Sequence, residues 1–173
     1  MADSESQSAK YAFQPLAMTP IGYVERGEAD GERASADEKP GFAEKTRFQR
    51  ASGNGELQMD DVRTLPARIV LDPSLTDGLL GLQPGSDVVV LYCFHRSTGY
   101  ELQVHPRGDL SRPLRGVFAV RSPRRPNPIA LTTARILRIE DNVLEVVGLD
   151  AADGSPVLDI KPHAPFFDTP YTR

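Results

Sequence analysis

The chain has 173 residues, 39% hydrophobic and 25% charged, with a net charge of −4; this is about one domain's worth of sequence, with enough apolar side chains to bury a core. Its 15 prolines and 14 glycines divide the chain into short segments and argue against a helical bundle. The single cysteine, Cys93, excludes an intramolecular disulfide and a multi-cysteine metal site. The longest apolar run, residues 88–94, falls far short of the roughly 20 residues a spanning helix needs.

Met1-Ala2-Asp3-Ser4-Glu5 is acidic and polar, unlike a secretory signal, so a cytoplasmic protein is expected, with no membrane span and, from the single cysteine and the histidine spacing, no metal. Residues 1–15 have no apolar period and read as a disordered leader, residues 16–168 as the folded domain, and residues 169–173 as a short tail. Within residues 16–25, Pro20 points to an edge strand or to one that begins after the proline. Residues 26–55 are Gly, Ala, Ser and charge without periodicity and read as a long loop. A β-rich core at 67–71 is followed by one short helix within residues 73–82, capped by Asp72 or Ser74. Residues 88–94 form a continuous β-branched and aromatic run, which predicts a fully buried strand.

Further along, Tyr100, Leu102 and Val104 alternate with Glu101, Gln103 and His105, the pattern of a half-buried strand, and residues 116–120 predict another. Residues 129–139 and 143–149 flank Glu140-Asp141-Asn142 as a hairpin. A strand over 157–160, with a buried-looking acid and lysine next to it at Asp159 and Lys161, follows the Asp153-Gly154 turn. About seven short strands punctuated by turns predict an all-β protein, a compact, mainly antiparallel barrel or sandwich with long loops and one short helix.

Charge is unevenly spread. Residues 96–138 hold nine arginines against two acids, so a strongly cationic stretch lies in an acidic protein. Guanidinium groups suit carboxylates and phosphates. Inside this stretch, Arg121-Ser122-Pro123-Arg124-Arg125-Pro126-Asn127-Pro128-Ile129 carries three prolines, which fix φ and hold each preceding residue extended. A stiff loop loses little entropy on meeting a ligand. Its Pro-x-x-Pro spacing also fits a ligand for a recognition domain, a reading weakened by the strands that flank it on both sides. Two further segments stand out: Asp153-Gly154-Ser155-Pro156-Val157-Leu158-Asp159-Ile160-Lys161-Pro162, which on its own reads as a hairpin with an Asx turn, and Phe94-His95 at the end of the strongest strand.

In this order the three segments resemble the TsaA-like, or YaeB-like, β-barrel family, whose characterised bacterial members are S-adenosylmethionine-dependent tRNA N6-methyltransferases acting on the adenosine beside the anticodon. The resemblance runs from Pro20-Ile21-Gly22 to Pro165-Phe166. It implies a dimeric barrel with S-adenosyl-L-methionine held by loops near the subunit interface. It places cofactor contacts at Gln49, Phe94, His95, Arg121, Leu131, Asp153, Gly154, Ser155 and Pro156. The family's Pro-Arg-Gln appears here as Arg47-Phe48-Gln49, and its Asn-Pro-Ile-Gly as Asn127-Pro128-Ile129-Ala130. No Gly-x-Gly-x-x-Gly follows a strand, and Gly53-Asn54-Gly55 lies in the aperiodic loop.

The cofactor's carboxylate suits Arg121, its adenosine an apolar wall with backbone groups, and its sulfonium an acid such as Asp150 or Asp153. Methyl transfer needs alignment rather than a covalent nucleophile. By analogy with Asn-Pro motifs in other adenine methyltransferases, Asn127 would accept a hydrogen bond from the acceptor amine as the catalytic residue. Arg112, Arg115, Arg124 and Arg125 would meet RNA phosphates. Two alternatives stand beside this reading: a small-molecule methyltransferase, and a non-enzymatic cofactor- or anion-binding regulatory module. A metal hydrolase is disfavoured because His95, His105 and His163 lack ligand spacing.

Overall fold

The computed structural model describes residues 15–26 and 65–171, so nearly all of the expected leader and of the loop expected over residues 26–55, Gln49 included, lie outside the described residues. The described residues contain eight strands: β1 (Gly22–Glu25), β2 (Ala67–Leu71), β3 (Asp87–Cys93), β4 (Gln103–Val104), β5 (Arg115–Gly116), β6 (Ile129–Glu140), β7 (Val143–Val147) and β8 (Pro156–Pro162). Six of them close into a barrel in the order β1-β2-β7-β6-β3-β8, while β4 and β5 pair apart from it. Every neighbour in the barrel is antiparallel.

Closure explains why such short strands hold. A closed barrel leaves no unpaired backbone row, and inward residues alternate with outward ones along each strand. On β6, Ala130, Thr132, Ala134 and Ile136 are buried while Ile129, Leu131, Arg135 and Leu137 are exposed. Val24, Ile69, Val88, Val90, Tyr92, Leu144, Val146, Leu149 and Val157 complete a core from all six strands and the segment after β7. Burying each such aliphatic side chain contributes about 1.5–3 kcal/mol. Outside, Glu25, Arg68, Glu145 and Arg138 sit opposite one another on β1, β2, β7 and β6, a row of alternating sign. Arg68 reaches Glu25 at 2.7 Å, and Arg138 pairs with Glu140.

Several expectations are met and several are corrected. β1 begins after Pro20 and is paired on both sides, so it is not an edge strand. The β6–β7 hairpin turns through Asp141, at φ 49°, and Asn142, whose side chain donates to Leu71 O on β2. The short helix is a 3-10 helix, Pro73–Leu79, and Asp72 caps it by accepting from Ser74 N at 2.9 Å.

Only Gln103–Val104 of the Tyr100 alternation pairs as a strand. Its partner β5 ends at Gly116, because Val117–Ala119 winds into a 3-10 turn that buries Val117. Asp159 and Lys161 are not buried; they point outward and pair at 2.6 Å. A bulge between Leu91 and Tyr92 shifts the β3–β8 register by one residue. A single helical turn, α1 (Pro165–Asp168), follows β8.

The strand directions define a mouth. β1, β3 and β7 run toward the same end of the barrel, and β2, β6 and β8 start from it. The segments after Glu25, Cys93 and Val147 therefore gather where β6 and β8 begin.

Candidate active site at one mouth of the barrel

As β3 ends, Phe94 N donates to Pro128 O at 2.8 Å and the chain turns, with Ser97 N donating to Phe94 O at 2.9 Å. The turn is tied on two sides. Ser97 Oγ donates to Pro123 O at 3.0 Å, holding the proline-rich loop. Arg96 Nη2 donates to Asp153 O at 2.9 Å, holding the turn before β8. His95 and Gly154 are neighbours there: His95 Nε2 accepts from Arg96 Nε at 3.3 Å, and a Cβ built on Gly154 would lie 3.9 Å from it, in van der Waals contact. Gly154 takes φ +75°, a left-handed conformation that glycine adopts without strain.

Three separated pieces of sequence thus meet at one mouth. The Phe94 ring packs edge-on against Tyr92, with centroids 5.8 Å apart, which leaves it half-buried at the rim. Arg121 Nη1 donates to Leu131 O at 3.2 Å, setting a guanidinium beside an exposed leucine on the outer wall of β6. Asn127 is exposed at the start of β6, where its carbonyl accepts from Ile129 N at 2.7 Å. Ser155 is buried, and its main chain is used in folding: its N–H donates to Ala152 O and its carbonyl accepts from Val24 N. Pro156 opens β8 opposite Tyr23.

The remaining arginines differ in availability. Arg124 pairs with Glu101, and Arg112 with Asp109 at 3.2 Å. Arg125 Nη1 turns inward to the carbonyls of Val120 and Ser122. Arg115 is exposed and forms no ion pair among the described residues.

Two groups at the mouth escape a sequence reading. Arg26, just past β1, gives its main-chain N–H to Asp153 Oδ1 at 2.8 Å and its guanidinium Nε to Ala151 O at 3.1 Å; Nη2 donates to Leu149 O. Burial lowers its pKa, opposed by the negative charges of Asp150 and Asp153. Inside the barrel, Tyr92 OH and Thr132 Oγ1 both donate to Asp150 Oδ1. Burial above all, and then the hydrogen bond to Asp150, raises the Tyr92 pKa, which keeps the hydroxyl a donor. Asp150 and Asp153, expected as counter-charges, each commit one oxygen to holding the chain.

A small antiparallel barrel whose strand-connecting loops gather basic, apolar and acidic groups at one mouth is a barrel of the non-Rossmann kind. A sequence model of the tRNA-methyltransferase O N-terminal domain matches residues 45–169, and the chain belongs to that family. β1 lies before the matched stretch, yet it closes the barrel. A probable S-adenosyl-L-methionine-binding protein of Methanocaldococcus jannaschii is 44% identical over 98 residues, 54% of this chain and 78% of that protein. The mouse tRNA (adenine(37)-N6)-methyltransferase is 42% identical over 94 residues, 53% of this chain. The crystal structure of TrmO from Pseudomonas aeruginosa is similar over 90% of this chain, at 28% identity and a TM-score of 0.60. This chain spans 59% of that structure and 22% of the mouse enzyme.

Proposed function

We propose that the protein is an S-adenosylmethionine-dependent methyltransferase that methylates N6 of an adenosine beside the tRNA anticodon. Membership in the tRNA-methyltransferase O family supports the reading, as do relatives named for binding this cofactor and for this reaction. The observation that carries it is the Phe94–Ser97 turn, bonded at once to the proline-rich loop and to the Asp153 turn, with His95 set so close to Gly154 that a single added carbon would touch its ring.

The residues present fit the cofactor. Phe94 and Leu131 offer apolar surface to an adenosine, and Arg121 has N–H groups left over from its bond to Leu131 O for a carboxylate. When bound, the cofactor supplies an electrophilic methyl group on a sulfonium sulfur. The chain's own part is to hold, orient and exclude water. Asp153 sets acidic character beside Gly154, and its backbone turn offers polar groups to a ribose. Asn127, stiffened between two prolines, accepts a hydrogen bond from the acceptor's exocyclic amine and directs its lone pair. Arg115, with Arg112, Arg124 and Arg125, contacts RNA phosphates. Gln49, which precedes β2 in the sequence, contributes a further cofactor contact. The protein acts as a cytoplasmic homodimer, without a metal.

A small-molecule acceptor is the second reading, favoured by the pairing of Arg112 and Arg124 with acids, which reduces the charge offered to RNA. Calorimetry with S-adenosylmethionine, followed by incubation of the protein with methyl-labelled cofactor and bulk tRNA, tests these alternatives. The first reading predicts binding and label in N6-methylated adenosine. Binding without labelled RNA supports the small-molecule reading, and absence of heat at millimolar cofactor supports a regulatory module.

A further inference from the structure

The segment over residues 149–153 runs from the end of the core to the Asp153 turn, and it is gripped on two sides. From the barrel interior, Tyr92 and Thr132 hold the Asp150 carboxylate. From the mouth, Arg26 holds the residues on either side of it, through guanidinium bonds to the carbonyls of Leu149 and Ala151. The Arg26 main-chain N–H then meets Asp153 Oδ1, immediately before Gly154. A guanidinium that spans two carbonyls of one segment fixes both their separation and their plane, which a single ammonium cannot reproduce.

We infer that Arg26 is a positioning residue: its guanidinium clamps residues 149–153 and so sets the spacing of Gly154 from His95. The identity of what binds against them rests on the proposed cofactor reading, whereas the clamp itself does not. Arg26 touches no reacting atom, so its loss acts on the geometry of binding. The main-chain bond to Asp153 survives substitution of the side chain, which isolates the role of the guanidinium.

Arg26→Gln and Arg26→Lys, in the full chain, test the inference through the histidines. The chain has three, so the ring signals of His95, His105 and His163 are separable by NMR. With no ligand added, the His95 signal is expected to move or broaden in both variants while those of His105 and His163 stay in place. S-adenosylmethionine affinity, measured by calorimetry, is expected to fall at least about tenfold in both, the scale set by removing a charged hydrogen bond, with kcat at saturating cofactor nearly unchanged. Arg26→Lys keeps the charge and most of the stem, so it decides the matter if Arg26→Gln does not fold. Folded Arg26→Lys with a wild-type His95 signal and wild-type affinity overturns the clamp. If the wild-type protein itself takes up no cofactor, the cofactor reading fails, and the His95 spectra still decide the clamp.

Discussion

The Tyr92 hydroxyl donates to Asp150 Oδ1 at 2.7 Å, joining the inner face of β3 to the segment that leaves β7. Tyr92 is 2% exposed, and its bond places a charged acceptor at the rim of an otherwise apolar barrel. Tyr92→Phe keeps the ring and removes the donor. It is expected to cost about 1–2 kcal/mol of unfolding free energy at neutral pH, because among the described residues Asp150 then keeps Thr132 as its one side-chain donor.

The same pair gives a pH dependence. The Tyr92 pKa in the folded state is raised above the ordinary value of 10.0 by burial and then by Asp150. The unfolded chain therefore loses this proton first. The contribution is fully present below about pH 10 and is lost as pH climbs above it. Urea unfolding across the alkaline range is expected to show a shallower loss of stability in Tyr92→Phe than in wild type. Parallel curves would contradict the assignment.

Gly22 shows how tightly β1 packs on β2. A Cβ at this position would sit 2.8 Å from Leu71 Cα and closer still to Val70 O, both main-chain atoms that cannot step aside. Gly22→Ala is expected to lower stability by about 1–3 kcal/mol, the range for forced overpacking, and to loosen barrel closure. Thermal unfolding checks it.

Gly154→Ala separates strain from occupancy. At φ +75° an added methyl group costs about 1–2 kcal/mol of stability. It also touches the His95 ring, so cofactor affinity is expected to fall further than a stability loss of that size explains in a protein that remains folded. Calorimetry on the folded variant, beside its unfolding curve, reads both effects.

Arginine pairing predicts a ranking in RNA binding. Arg115→Ala is expected to reduce the slope of log affinity against log salt by about one, as when a single phosphate is no longer neutralised. Arg124→Ala is expected to change it less, because Arg124 already pairs with Glu101. Filter binding of bulk tRNA over a salt series measures both slopes.

Much of the barrel was legible in the sequence, for physical reasons particular to each element. Ala67–Leu71 and the β6–β7 hairpin are marked by local β-branched runs and a polar turn, and they form where expected. The alternation from Tyr100 to His105 misled, because pairing depends on a partner, and β5 gives way to a 3-10 turn after Gly116. Asp159 and Lys161 looked buried only because their neighbours are apolar; the β3–β8 bulge and their mutual ion pair belong to the outer wall. That the Phe94, Arg121 and Asp153 segments meet follows from strand order, which no local pattern encodes. Arg26 carried no signal at all, since its partners Leu149, Ala151 and Asp153 lie more than 120 positions away along the chain.

The central claim is that S-adenosylmethionine lies against His95 and the Asp153 turn at the barrel mouth. The most direct measurement is a crystal structure of the protein with S-adenosylhomocysteine. The account predicts the nucleoside within van der Waals reach of Gly154 and His95, with the amino-acid carboxylate at Arg121. A well-ordered ligand bound elsewhere, with the space beside Gly154 filled only by water, would contradict it.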